Sequence, residues 1–271
     1  MEMKLHYTMI SVFTKQSAGL KGNISAVIKC EKNQLSKDEM QGIANDLNQP
    51  ATTFLVKTDR EDTFRVLWFA PDGEIGLCGH GSVAAAAFLF EENNTIANYY
   101  LKKDEQTIVL HDFEGNSCGM EIDKIKIDKE IPVPDVVQKA LGVEVLKYHK
   151  TSNKDMVLVK DEESLRKMKV NFDLLRTSSV FGYTVTAQST KADFVSRTIV
   201  PHVQQLEDHA TGSSHAILFP YWSEKLKKQE LEAIQLSPRG GYLKGHIKNS
   251  KSILIKGDFK IIAQGEYFLS N

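Results

Sequence analysis

The sequence predicts a mixed α/β (α+β) protein built of two related halves, and three observations predict it. Strand-like runs rich in β-branched and aromatic residues alternate with a few helix signals along the whole of its 271 residues. The run Phe64 to Pro71 matches Phe194 to Pro201, about 130 residues later. Shortly after each proline comes a small-residue turn that leads into an apolar helix: Cys78-Gly79-His80-Gly81-Ser82 in the first half and Thr211-Gly212-Ser213-Ser214 in the second. Two matches in the same order point to duplication. Duplicated halves pack about a pseudo-twofold axis, which predicts that the two turns face one another across a cleft between the halves.

The elements follow in order. Leu5 to Phe13, Ala26 to Cys30, Thr52 to Val56, Thr63 to Phe69 and Thr107 to His111 read as strands. A helix opens at Ser36, where Glu39 completes a capping box and Ile43 and Leu47 lie one turn apart; Pro50 is expected to stop it. A second helix opens at Gly81-Ser82 and runs to Phe90 without a polar face, so it is expected to be buried. In the second half Ile122 to Ile127, Met156 to Val159, Gly182 to Ala187 and Phe194 to Val200 read as strands, and Pro134 to Leu141 as a short helix with proline at its first turn. Ser214 to Leu226 reads as a helix that Pro220 is expected to break or kink. Ser252 to Leu269 reads as two strands around a Lys256-Gly257-Asp258 turn. The one soft boundary is Asp112 to Gly119, which places the halves at 1–115 and 116–271, with the last strand free to return to the first half.

Composition excludes several classes. Apolar residues make up 41% and charged residues 25%, the balance of a globular chain. Lys+Arg at 34 against Asp+Glu at 35 leaves a net charge of -1, so no global basic field exists for nucleic acid or an anionic membrane. The apolar run Val83 to Phe90 is far shorter than the ~20 residues that span a bilayer, and the start at Met1 to Tyr7 shows no secretory signal. Three cysteines, Cys30, Cys78 and Cys118, are odd in number and form no CxxC pair, which indicates neither a disulfide framework nor a thiolate zinc site. A reduced, cytoplasmic, soluble protein is the expectation.

A Gly-rich turn at a helix start exposes backbone N–H groups, and the helix macrodipole adds partial positive charge. Each turn is therefore a candidate cradle for a carboxylate or a developing oxyanion. Catalytic side chains would stand at the lips: Cys78 and His80 at the first, Asp208, His209, Thr211 and Ser213 at the second.

Leu77 to Ala86 resembles the LCGHATLAAA-type segment of the PhzF-like (phenazine-biosynthesis-like) family, and Asp208 to Trp222 resembles its DPVTGSAHCALAPYW-type segment. Val12 to Thr14, Gly22 to Val27, Asp193 to Arg197 and Gln235 to Gly241 resemble further family landmarks in the family's order, so the resemblance runs end to end. It implies the diaminopimelate epimerase-like fold, with two similar domains that each wrap a curved, mostly antiparallel sheet around a central helix. It also implies metal-free, cofactor-independent isomerase chemistry, a homodimer and a small anionic metabolite as partner. The namesake enzyme isomerises trans-2,3-dihydro-3-hydroxyanthranilate by moving a proton. Carried over, the resemblance gives Asp208, His80 and Ser213 as catalytic, and Gly79, Gly81, Ser82, Gly212, Ser214 and Asn23 as substrate-binding.

One departure stands out. The family's acid/base glutamate lies in a segment like N-x-S-E-T-x-F, which here reads Asn48 to Phe54 with Ala51 at the glutamate position. A methyl group carries no proton, so either another group serves as base or the protein binds a small acid without turning it over. The related racemases pair two cysteines at the turns. Cys78 matches the first but Thr211 stands at the second, which disfavours a two-thiol reaction. Cys78 itself reads either as an acid/base thiol at a helix N-terminus or as a buried small hydrophobe. Glu74 reads as structural, and Arg239 as a residue that shapes its loop or attracts an anion. His202, His209 and His215 fit no zincin spacing and read as packing or hydrogen-bonding groups.

Overall fold

In the computed structural model, which describes residues 3–269, the strand β1 (Met3–Thr14) runs antiparallel to β2 (Asn23–Cys30) along one edge. Helix α1 (Lys37–Leu47) then crosses over to β3 (Ala51–Lys57), parallel to β2. The chain continues antiparallel through β4 (Thr63–Ala70) and the short β5 (Gly73–Ile75) into α2 (Gly79–Glu92), returns as β6 (Tyr99–Lys103) parallel to β4, and closes with β7 (Gln106–Phe113) and β8 (Ser117–Asp123).

The second half repeats this topology. It begins with β9 (Ile127–Ile131), α3 (Asp135–Leu141), β10 (Val145–Thr151) and β11 (Asp155–Val159), the last two antiparallel. The helices α4 (Glu162–Lys167) and α5 (Phe172–Leu175) cross to β12 (Tyr183–Gln188), parallel to β11. Then β13 (Phe194–Ile199) and β14 (Glu207–Asp208) lead into α6 (Gly212–Leu226), β15 (Glu230–Gln235) parallel to β13, and β16 (Gly241–Ile247). Strand for strand, β2–β7 with α2 correspond to β11–β16 with α6, and the matching sequence runs are β4 and β13. The described residues form two compact units, one of 3–16, 21–122 and 256–269, the other of 17–20 and 123–255, and the final strand β17 (Ser252–Leu269) belongs to both.

Within each unit the sheet carries helices on both faces, which explains strands buried along their length. In the first, Phe54, Val56, Leu67 and Phe69 meet α1 through Met40 and Ile43, while Thr53 and Trp68 face α2. Helix α2 is buried nearly all round, as an apolar helix without a polar face must be. In the second, Tyr183, Val185 and Val195 pack with α3, α4 and α5, while Thr186, Phe194 and Thr198 meet Trp222, His215 and Ser214 of α6.

Several expectations are corrected. The capping box at Ser36 forms, but α1 ends at Asn48 in the left-handed conformation (φ 49), two residues before Pro50. Ile122 to Ile127 is no strand: β8 ends at Asp123, and the chain passes through residues 124–126 before β9 begins. The glycines of Asp112 to Gly119 form the β7–β8 hairpin inside the first unit, with Gly115 at φ 75, and the unit boundary falls at 122/123. Pro220 does not break α6. The Ala216 carbonyl, four residues earlier, accepts from the Ile125 amide instead. Ser252 to Leu269 is one strand, because β1 pairs with it out to Asp258, Asn116 takes the Phe259 amide, and Ser117 Oγ donates to the Gly257 carbonyl.

Candidate functional site

The turn before α6 is fixed from both sides. Arg197 on β13 grips Glu207 on β14 in a two-pronged ion pair, Nε to Oε1 and Nη2 to Oε2 at 2.8 Å each, and its third nitrogen donates to the carbonyls of Leu165 and Met168. That grip sets the backbone that carries Asp208 next in sequence. The Thr211 hydroxyl donates to Asp208 Oδ2 over 2.7 Å. Behind it lies the fully buried Gln235, whose Oε1 accepts from the Thr211 amide at 2.8 Å and whose Nε2 donates to the Asp208 carbonyl at 2.6 Å and to Thr211 Oγ1 at 3.1 Å. An amide nitrogen only donates, so Thr211 Oγ1 is the acceptor there and its proton goes to Asp208. Gln235 thus orients Thr211, and Thr211 orients the carboxylate.

Because the Thr211 hydroxyl is turned to Asp208, it does not cap α6. Gly212, Ser213 and Ser214 form its first turn. Ser214 Oγ pairs with Thr198 Oγ1 at 3.0 Å, while Ser213 Oγ accepts from Lys154 Nζ at 2.9 Å. Lys154 is buried, and nothing in its neighbourhood of Asn153 and Asp155 marks it in the sequence as anything but a surface turn. Gln235 appears in sequence only as part of a landmark without a role.

At the start of α2, Cys78 is the N-cap residue, and its sulfur accepts from the Gly81 amide at 3.4 Å. The His80 ring lies against the same sulfur, Nδ1 at 3.5 Å, and both residues are buried. Ser82 Oγ donates back to the Cys78 carbonyl at 2.8 Å. A Cβ on Gly81 would come within 2.7 Å of both Thr53 Oγ1 and Trp68 Cδ1, so glycine lets the helix start lie directly on β3 and β4. Cys78 is therefore both a cap and the neighbour of the His80 ring, its sulfur 3.5 Å from Nδ1 and 3.8 Å from Nε2.

Asn23 is buried at the head of β2, where its Oδ1 accepts from the Ile24 amide. Ala51 opens β3, buried, with its carbonyl taken by Ser25 Oγ at 3.1 Å; alternation along the strand puts its methyl on the α2 side with Thr53. Glu74 binds Lys37 and Lys103 at 2.7 Å each, and hydrogen bonds from Lys103 and then Lys37 hold its carboxyl below the usual range. The three histidines do separate things. His202 bonds the Ser178 carbonyl, burial lowers His209, and His215 lies fully buried against Phe194 and Phe219. His215 Nδ1 donates to the Thr211 carbonyl, and burial pushes its pKa down to about 4. Among the described residues no group of three His, Cys, Asp or Glu side chains could hold a metal ion, and no helix is long and apolar enough to cross a membrane.

A family model for phenazine biosynthesis-like proteins matches residues 10–265. The chain belongs to this PhzF-like family. A relative from Halalkalibacterium halodurans, named an uncharacterized isomerase, is 32% identical over 255 residues, which cover 91% of this PhzF-like chain and 92% of the relative. The crystal structure of a PhzF family protein from Enterococcus faecalis matches with a TM-score of 0.88 at 31% identity, covering 98% of this chain and 100% of that one. A probable proline racemase from Agrobacterium radiobacter matches with a TM-score of 0.65 at 10% identity over 96% and 92% of the two chains, a likeness of fold alone. The PhzF-like chain therefore has the diaminopimelate epimerase-like fold, with one buried helix at the centre of each unit.

Proposed function

We propose that this PhzF-like protein is a cofactor-independent isomerase that moves a proton on a small carboxylic acid. The observation that carries the reading is the Asp208 carboxylate, held through one oxygen by Thr211, whose hydroxyl is thereby turned away from the start of α6. Isomerisation needs a group that removes a carbon-bound proton, a group that returns one, and donors for the charge that builds up on the carboxylate in between. Asp208 and His80 are the proton-handling groups in this reading, with Cys78 as partner of His80. Ser213 and the first-turn amides of Gly79 and Gly212 bind the anion, with Asn23 and Ser214 beside them, while Gly81 and Ser82, whose amides go to the Cys78 sulfur and carbonyl, shape the first turn of α2. The family resemblance supports these roles and a homodimer, for which sedimentation of the pure protein is the check.

The test is solvent deuterium. The protein in D2O is incubated with a panel of small carboxylic acids, and each is read by mass spectrometry for deuterium at carbon. Incorporation that Asp208→Asn abolishes supports the reading, and incorporation that survives in Asp208→Asn overturns the assignment. Ala51 favours one second reading, because an alanine stands where the family pattern has its acid/base glutamate. In that reading the protein binds a small acid and leaves it unchanged, and saturable binding without deuterium uptake would select it.

A further inference from the structure

We propose that Lys154 is a positioning residue for Ser213, which it holds with the hydroxyl proton directed outward as a donor to a carboxylate at the start of α6; the inference rests on the reading that this helix start receives one. Lys154 is 5% exposed, yet it carries an ammonium group. Its Nζ donates to Ser213 Oγ at 2.9 Å and to Asn153 Oδ1 at 2.9 Å. An ammonium has protons and no lone pair, so Ser213 Oγ is the acceptor in that bond, and its own proton points to another acceptor. A hydroxyl that accepts from a cation is polarised and becomes the stronger donor.

The lysine is placed by its surroundings. Thr151 Oγ1 donates to the Lys154 carbonyl at 2.8 Å, the next residue's amide donates to the Gly182 carbonyl at 2.9 Å, and Asp155 answers the Thr151 amide. The aliphatic stem lies so close to Gly182 that a Cβ there would stand 3.3 Å from Lys154 Cγ. The half-exposed ring of Phe181 lies 5.5 Å from Nζ. A methionine would fill the stem's volume without a charge. The charge itself sits beside the positive end of the α6 macrodipole, and the two add their positive potential at the Ser213 hydroxyl, which favours a carboxylate there.

Acetate serves as the probe, titrated into 15N-labelled protein while the amide signals of Gly212, Ser213 and Ser214 are followed. Wild-type protein should show a saturable shift of these signals. Lys154→Met and Ser213→Ala should each weaken acetate about tenfold, the loss of one charge-assisted bond. Lys154→Arg should recover most of the affinity. The double variant should bind no more weakly than Ser213→Ala alone, because the lysine acts through the serine. Wild-type amides that ignore acetate, wild-type affinity in folded Lys154→Met, or losses that add in the double variant would each overturn the proposal. If Lys154→Met fails to fold, Lys154→Arg must keep most of the affinity and Ser213→Ala must lose about tenfold, and any other pairing overturns it as well. Deuterium uptake unaffected by Lys154 sinks this inference and leaves the isomerase standing. Lys154-dependent acetate binding without uptake on any acid does the reverse.

Discussion

The Ile125 amide donates to the Ala216 carbonyl over 3.2 Å, and this is the carbonyl that Pro220 leaves without its usual partner inside α6. A proline in a helix interior costs about 3 kcal/mol relative to alanine, largely through that lost bond and the crowding of the same carbonyl. With the carbonyl supplied from outside the helix, Pro220→Ala should change stability by less than about 1 kcal/mol in urea unfolding. A gain near the full ~3 kcal/mol would show that the Ile125 bond does not compensate.

Asp208→Asn and His80→Ala should each lower deuterium exchange by about 10² to 10⁴ while melting within a few degrees of wild type. Asparagine still offers an oxygen to the Thr211 hydroxyl, so the turn before α6 should keep its shape. Loss of the folded state in Asp208→Asn would make the residue structural, and unchanged exchange would remove it from the reaction.

Wild-type protein should be poor on trans-2,3-dihydro-3-hydroxyanthranilate, and Ala51→Glu should raise that activity, with Ala51→Gln as the size-matched control. The gain should fall short of the ~10² to 10⁴ of a well-placed acid/base, because a misplacement of ~1 Å alone can cost about 10²-fold. Ala51 is fully buried, so the added carboxylate should also lower the melting temperature. Wild-type turnover equal to that of a family enzyme with the glutamate in place would refute a lost role at this position.

His215 predicts a pH dependence. Its pKa falls from the ordinary 6.5 to about 4 in the folded chain, because burial disfavours the imidazolium. The unfolded chain therefore takes up this proton first as pH drops. The stabilising contribution is complete above pH 6.5, declines from there to about pH 4, and amounts to about 3 kcal/mol in all. His215→Phe keeps the stack on Phe194 and should flatten that part of the stability–pH curve, read from urea midpoints between pH 4 and 7. An unchanged slope would assign the acid sensitivity to other groups.

Gly22→Ala should be among the most damaging single changes. Gly22 has φ +65, and a Cβ there would stand 2.0 Å from the Val12 carbonyl oxygen, a backbone atom that cannot swing away. Strain of this kind costs upward of ~2 kcal/mol, which differential scanning calorimetry would show as a drop of several degrees.

Local chemistry was legible in the sequence where it acts locally. Ser36 and Glu39 announce their capping box, and the repeated runs announce the shared topology of β4 and β13. What was not legible depends on residues far along the chain. Pro220 is harmless because of Ile125, and the Lys256-Gly257-Asp258 segment stays extended because β1 and β8 hold its backbone. At the candidate site, the two small-residue turns, with Asp208 beside the second, stand out in the sequence as a repeat. Lys154 could not, since its burial comes from Gly182 and Ser213, and neither could Gln235's hold on Thr211.

β1 pairs with β2 on one side and with β17 on the other, from Met3 opposite Leu269 to Thr14 opposite Asp258 with register shifts at Met9/Ile10 and Val12/Thr14. During synthesis, the β1–β2 hairpin can form soon after it leaves the ribosome. Its outer rim then stays bare until β17 has been translated, while the intervening residues of the second unit emerge and can fold ahead of it. A nascent chain in this interval carries an open strand edge, the kind of surface that recruits another strand or a chaperone. The last strand is in that sense the clasp of the first unit, and a ribosome that stalls before β17 would release a chain with all but the last few residues of its second unit and with its first unit still open.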